Sequence, residues 1–220
     1  MPANREGLSP VVEKKLRNGR TFRDMEMRAL QSEEYVVEGY ATTFNEPYTL
    51  YEEPGWKLLE QVDARAFDGC DMSDVIMQYD HEGRVFARLS NETLELTVDN
   101  HGLKIRATLG GTEIGRQLYE EIKGGYTTKM SFAFRVAESR REIIENEETG
   151  ETTVVRTITK ISKLYDVSAV SLPANDATEI SARSDGEGVI AEVKQELQQA
   201  EEQRRAAEVI KAKIKIMAEM

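Results

Sequence analysis

The chain has 220 residues, 40% hydrophobic and 31% charged, with a net charge of -11. That length suits one domain with appendages, and the acidic balance argues against direct nucleic-acid binding, which needs clustered Lys and Arg. A lone cysteine, Cys70, excludes an internal disulfide and a cysteine zinc site and suits a reducing compartment. No apolar run approaches the roughly 20 residues of a membrane span, and the charged N-terminal stretch lacks a signal-peptide core, so a soluble cytoplasmic protein without membrane contact is expected.

In chain order, residues 1–32 form a weakly patterned arm, with seven Lys or Arg against four Asp or Glu over residues 1–30. This arm is expected to be partly disordered, with an edge strand where Met25, Met27 and Ala29 alternate with charges. A stronger strand runs from Tyr35 to Ala41 and stops near the turn signal Asn45-Glu46-Pro47. Leu58 to Val62 is a short apolar segment. Asp63 can cap a helical turn through Phe67.

Val75-Ile76-Met77-Gln78-Tyr79 reads as a buried strand that delivers Asp80-His81-Glu82-Gly83 at its end. Residues 93–98 and 103–109 alternate cleanly around the hairpin turn Asp99-Asn100-His101-Gly102. Thr112 can cap a helix with an Ile114, Leu118 and Ile122 stripe that ends at Gly124. In the next strand Met130, Phe132, Phe134 and Val136 share one face, and Ser131 points the other way beside Ala133. Residues 138–153 are charge-dense around Gly150, a solvated hairpin excursion. Strands over 154–161 and 164–170 follow, the last stopped by Pro173.

Many short strands and few helices predict an α+β, mainly β fold: an antiparallel barrel or sandwich with attached helices over residues 33–183. Residues 184–188 read as a linker. Over 189–220, Val193, Leu197, Ala200, Ala207, Ile210, Ile214 and Met217 recur at spacings of three and four, a long amphipathic helix with a narrow seam. Two readings stay open for it, a helix packed on its own domain and, favoured by the glycine linker, a detachable helix that binds a partner.

The chemistry rests on few residues. His81 sits at a strand end, where functional groups often lie, whereas His101 reads as a surface turn residue. Asp166 is unusual in a strand, and a buried carboxylate needs a partner such as an imidazole. Ser131, His81 and Asp166 would supply nucleophile, base and orienting acid. Cys70 with His81 is a competing thiol pair, disfavoured because neighbouring acids raise a thiol pKa. Metal-ligand spacing, a P-loop and a dinucleotide glycine motif are absent, so no cofactor is expected.

The ordered set Glu38-Gly39-Tyr40-Ala41, Phe44-Asn45, Ala66-Phe67, Asp80-His81-Glu82, Thr93-Leu94, Gly102-Leu103, Thr112, Gly115, Gly125, Met130-Ser131-Phe132-Ala133-Phe134, Asp166-Val167-Ser168 and Leu172-Pro173-Ala174-Asn175 resembles the tailed-phage prohead (procapsid maturation) serine proteases of the HK97 type. The resemblance covers roughly residues 33–183 and implies a fold similar to the herpesvirus assemblin barrel. It implies a catalytic pair of His81 and Ser131, with Asp166 as third member. Related assemblins use a histidine there, which keeps His101 as a lesser candidate. Ala133 stands where the family usually has glycine, Glu82 replaces an aspartate and Ala87 a glycine, and Asp166 is often glutamate. The implied activity is an endopeptidase inside the assembling procapsid that cleaves scaffold or major capsid protein (delta-domain-like) segments and itself. The long helix would recruit it, and it could form a homo-oligomer. A degenerate protease barrel acting as a non-catalytic scaffold is the alternative.

Overall fold

A computed structural model describes residues 21–29, 34–171 and 185–218. The expected Pro173 strand stop and residues 1–20 of the basic arm lie outside these. Among the described residues ten strands and two α-helices follow one another: β1 (Thr21–Ala29), β2 (Val36–Thr43), β3 (Tyr48–Glu53), β4 (Trp56–Val62), β5 (Ile76–Tyr79), β6 (Glu82–Arg88), β7 (Leu94–Val98), β8 (Gly102–Thr108), α1 (Glu113–Lys123), β9 (Lys129–Glu145), β10 (Thr152–Val170) and α2 (Asp185–Ala218).

The strands join in the order β3-β4-β10-β9-β1-β2-β8-β7, with β5 on β10 and β6 on β5. This path is open among the described residues, because β3 and β7 each pair with one neighbour, so the expected closed barrel does not form. β1 is the corner of the sheet. Its Thr21–Glu26 stretch pairs with β9, and Met27–Ala29 pairs with β2. A strand that changes partners lets one sheet fold over a core, and Met27, Val37, Ile105, Phe132, Phe134 and Val167 from both halves share one buried cluster. β1 covers the Met25, Met27 and Ala29 stretch expected to be an edge strand, but it lies between β9 and β2 inside the sheet.

Local chemistry explains the neighbouring elements. The Thr112 hydroxyl accepts the Gly115 N–H at 3.0 Å and starts α1, whose Leu118, Tyr119 and Ile122 are buried in the same cluster. At the start of β8, Gly102 passes so close to β2 that a Cβ there would lie 1.9 Å from the Thr42 carbonyl oxygen; no other residue fits.

β10 is the backbone of the sheet and departs most from the pattern. One strand of 19 residues replaces the two expected over 154–161 and 164–170. Its first half runs parallel to β4 and its last part parallel to β5. Between them the 66–71 segment reaches in, with Ile161 N–H bonded to Ala66 and Leu164 N–H to Asp71. The 138–153 excursion is exposed as expected, but its flanks are paired strand.

α2 begins at Asp185, within the stretch expected to be a linker. Val189 and Val193 are buried against Leu50 of β3, Leu58 of β4 and Val154 of β10, with Ile190 and Leu197 at the margin. Arg141 on β9 pairs with Glu192 at 3.0 Å and Glu196 at 3.3 Å. The first part of the helix therefore packs on its own domain, and Val209 and Ile210 beyond it are exposed. Among the described residues no helix is long and apolar enough to cross a membrane.

Candidate active site

Phe132 and Phe134 of β9 stack on the core face at 4.4 Å, so Ser131 and Ala133 project from the opposite face. Ser131 lies directly across from Ser168 of β10, and directly opposed side chains leave the same side of a sheet with Cβ atoms about 5 Å apart. Simple alternation would carry the Leu164 face through to Asp166. A bulge prevents this: Leu164 is paired with Phe134 but Asp166 with Ala133, leaving Tyr165 as the extra residue. The bulge keeps Leu164 with the core and turns Asp166 to the side of Ser131, the re-aiming that bulges provide.

The histidine arrives from β5. Its parallel pairing sets Gln78 beside Ser168 and Tyr79 beside Ala169, and Tyr79 pairs with Glu82 across a two-residue turn. Asp80 and His81 are that turn, with φ of +49° and +59°, the both-positive geometry of tight hairpins. Such backbone costs a non-glycine residue on the order of 1 kcal/mol, although Asp and His tolerate it better than most.

The two strands converge on one oxygen. His81 Nδ1 lies 2.6 Å from Asp166 Oδ1, and the Ser168 hydroxyl donates to the same oxygen at 2.8 Å. Asp166 and Ser168 are wholly buried, and His81 keeps 14% of its side-chain surface. The carboxylate accepts from Nδ1, which assigns the Nδ1–H tautomer to the neutral ring. Ser131 Oγ is buried without a hydrogen-bond partner among the described residues. Of the two facing serines, Ser168 has its proton committed to a carboxylate and Ser131 does not.

A family model described as the caudovirus prohead serine protease matches residues 23–196. The chain belongs to that family. Comparison with curated proteins and with solved structures finds no match. That family description makes it a family of serine peptidases of phage capsid maturation, and implies interaction with phage capsid proteins in general.

The remaining candidate residues stand elsewhere. His101 occupies the β7–β8 turn, edge-on to the Tyr40 ring at 4.5 Å, and Asp166 is the group at His81 Nδ1. The Cys70 thiol is pushed up to about 11, first by burial and then by the Asp71 charge, against a lowering backbone hydrogen bond from Leu164; such a thiol is a poor nucleophile. No cluster of His, Cys, Asp or Glu among the described residues could hold a metal ion. Reading the sequence missed Ser168 and Asp80. The first was discoverable, since period two puts Ser168 on the same face as Asp166.

Proposed function

We propose that the chain is a serine endopeptidase that cleaves scaffold or major capsid protein segments, and itself, during procapsid maturation, with Ser131 as nucleophile, His81 as general base and Asp166 as its orienting acid. The observation that carries this reading is the 2.6 Å contact of His81 Nδ1 with Asp166 on the face that holds the uncommitted Ser131 hydroxyl. An imidazole held at Nδ1 offers Nε2 to a serine. Ser131 Oγ forms a bond to the scissile carbonyl carbon as its proton passes to Nε2. His81 then gives that proton to the amide nitrogen as the C–N bond breaks. Water repeats the sequence on the acyl ester: its proton goes to Nε2 and returns to Ser131 Oγ. The exposed part of α2 beyond Leu197, with Val209 and Ile210, would dock on scaffold or capsid protein and recruit the enzyme.

The test is co-expression with the phage's own capsid protein, comparing wild type, Ser131→Ala and His81→Ala by intact mass. Trimmed capsid protein and trimmed protease with wild type alone is the expected result; removing either residue of such a pair costs about a million-fold in turnover. Equal processing by all three ends the serine mechanism, and maturation without any processing favours the non-catalytic scaffold.

A further inference from the structure

We infer that Ser168 is a positioning residue of this site, holding the Asp166 carboxylate in the plane where it can orient His81. The inference rests on the catalytic reading above and adds a fourth side chain to it. Two donors to Asp166 Oδ1, His81 Nδ1 at 2.6 Å and Ser168 Oγ at 2.8 Å, meet a carboxylate with no exposed surface. A carboxyl group pivots about its bond to Cβ, and a single hydrogen bond leaves that pivot soft. Two donors from different directions on one oxygen stop it. The Ser168 donor is itself rigid, because Ser168 is fully buried and strand-paired on both sides, to Ser131 of β9 and Gln78 of β5. The tyrosine bulge at 165 turns Asp166 toward this face, and Ser168, two residues on, fixes its angle once there. The arrangement also separates the roles of two hydroxyls about 5 Å apart at Cβ: a serine donating to a carboxylate cannot give that proton to an imidazole.

Two measurements test this. The first needs no activity. In the Ser131→Ala protein, the His81 Nδ1–H proton bonded to a buried carboxylate should give a far-downfield NMR resonance, and adding Ser168→Ala should move or broaden it. The second uses a peptide spanning the junction cleaved by wild type. Ser168→Ala should lower kcat about tenfold, the loss of one hydrogen bond to a charged group, with KM changed less than about twofold, and Ser168→Thr, which keeps the hydroxyl, should restore most of it. A downfield resonance unmoved by Ser168→Ala overturns the inference, as does a loss that Thr does not recover or that falls on KM alone. Should Ser131→Ala retain full activity, the protease reading fails by itself, and the resonance still decides whether Ser168 governs the His81–Asp166 contact.

Discussion

The Asp80 carboxylate clamps the end of β10: it accepts the Ser171 backbone N–H at 3.0 Å and the Ser171 hydroxyl at 2.9 Å. Asp80 N–H adds a bond to the Ala169 carbonyl at 2.9 Å. These contacts tie down the residue immediately before His81, in a turn whose φ values disfavour it. His81 is thus delivered to Asp166 by a short turn anchored to the strand that carries Asp166. Replacing Asp80 with Ala should lower kcat/KM on a junction peptide about tenfold while costing only about 1 kcal/mol of stability, read from a urea melt. Unchanged kinetics would mean that the turn holds its shape without the clamp.

How far the site could be read beforehand differs residue by residue. Ser131 was legible because Met130, Phe132 and Phe134 alternate without interruption, although the structure buries both faces of the strand from Met130 to Phe134. His81 was legible as a strand-end residue, but the tight β5–β6 turn was hidden because Asp-His carries none of the glycine that usually marks such turns. Asp166 was noticed as a misplaced charge. Its orientation was not readable, because the bulge at Tyr165 is a register event between β9 and β10 and has no local signal. The open sheet escaped notice for the same reason: strand count does not reveal whether the end strands β3 and β7 meet. For α2 the glycines at Gly186 and Gly188 suggested a linker, but burial of Val189 and Val193 overrides their low helix propensity.

Away from the site, Arg156 of β10 and Glu60 of β4 form an ion pair at 2.8 Å, with 3% and 0% of their side-chain surface exposed. Tyr48 donates to the other Glu60 oxygen at 2.5 Å, and Arg156 Nε approaches Ser139 Oγ at 3.4 Å. This network joins β3, β4, β10 and β9 under the long hairpin. Arg156→Met removes the counter-charge of a buried carboxylate, so it should destabilise the fold by about 3–5 kcal/mol. Pairing it with Glu60→Leu should recover most of that loss, because two apolar side chains need no partner. A urea-denaturation double-mutant cycle measures the coupling, and additive losses would contradict it.

Cys70 offers a control on the choice of nucleophile. With its thiol held up at about 11, chiefly by burial, the thiolate fraction at pH 8 is about a hundredfold below that of an ordinary cysteine. Iodoacetamide should label it about a hundredfold more slowly than a free thiol, followed by mass. Cys70→Ala should process capsid protein at the wild-type rate. Fast labelling together with loss of processing would return the thiol to consideration.

The contact that docks α2 carries its own pH dependence and its own reporter. Glu53 of β3 accepts from Tyr51 Oη at 2.5 Å, from Lys194 Nζ of α2 at 2.9 Å and from the Trp56 indole. The Tyr51 hydrogen bond first, then those of Lys194 and Trp56, lower its carboxyl from 4.5 to about 2. A carboxyl depressed on folding stabilises the contact fully above its unfolded value and loses that contribution as pH falls through the folded one. Docking should therefore be intact above about pH 4.5 and weaken progressively toward pH 2. Trp56 is the only tryptophan in the chain, so its emission reports this cluster alone. The expected titration shows a change of Trp56 emission within that window while far-UV dichroism, recorded on the same samples, stays level. Glu53→Gln should flatten it, because the amide cannot titrate, and Lys194→Met should move it to higher pH by removing the second-largest cause of the shift. The same emission titration in wild type and Glu53→Gln would show that Glu53 does not govern the docking of α2.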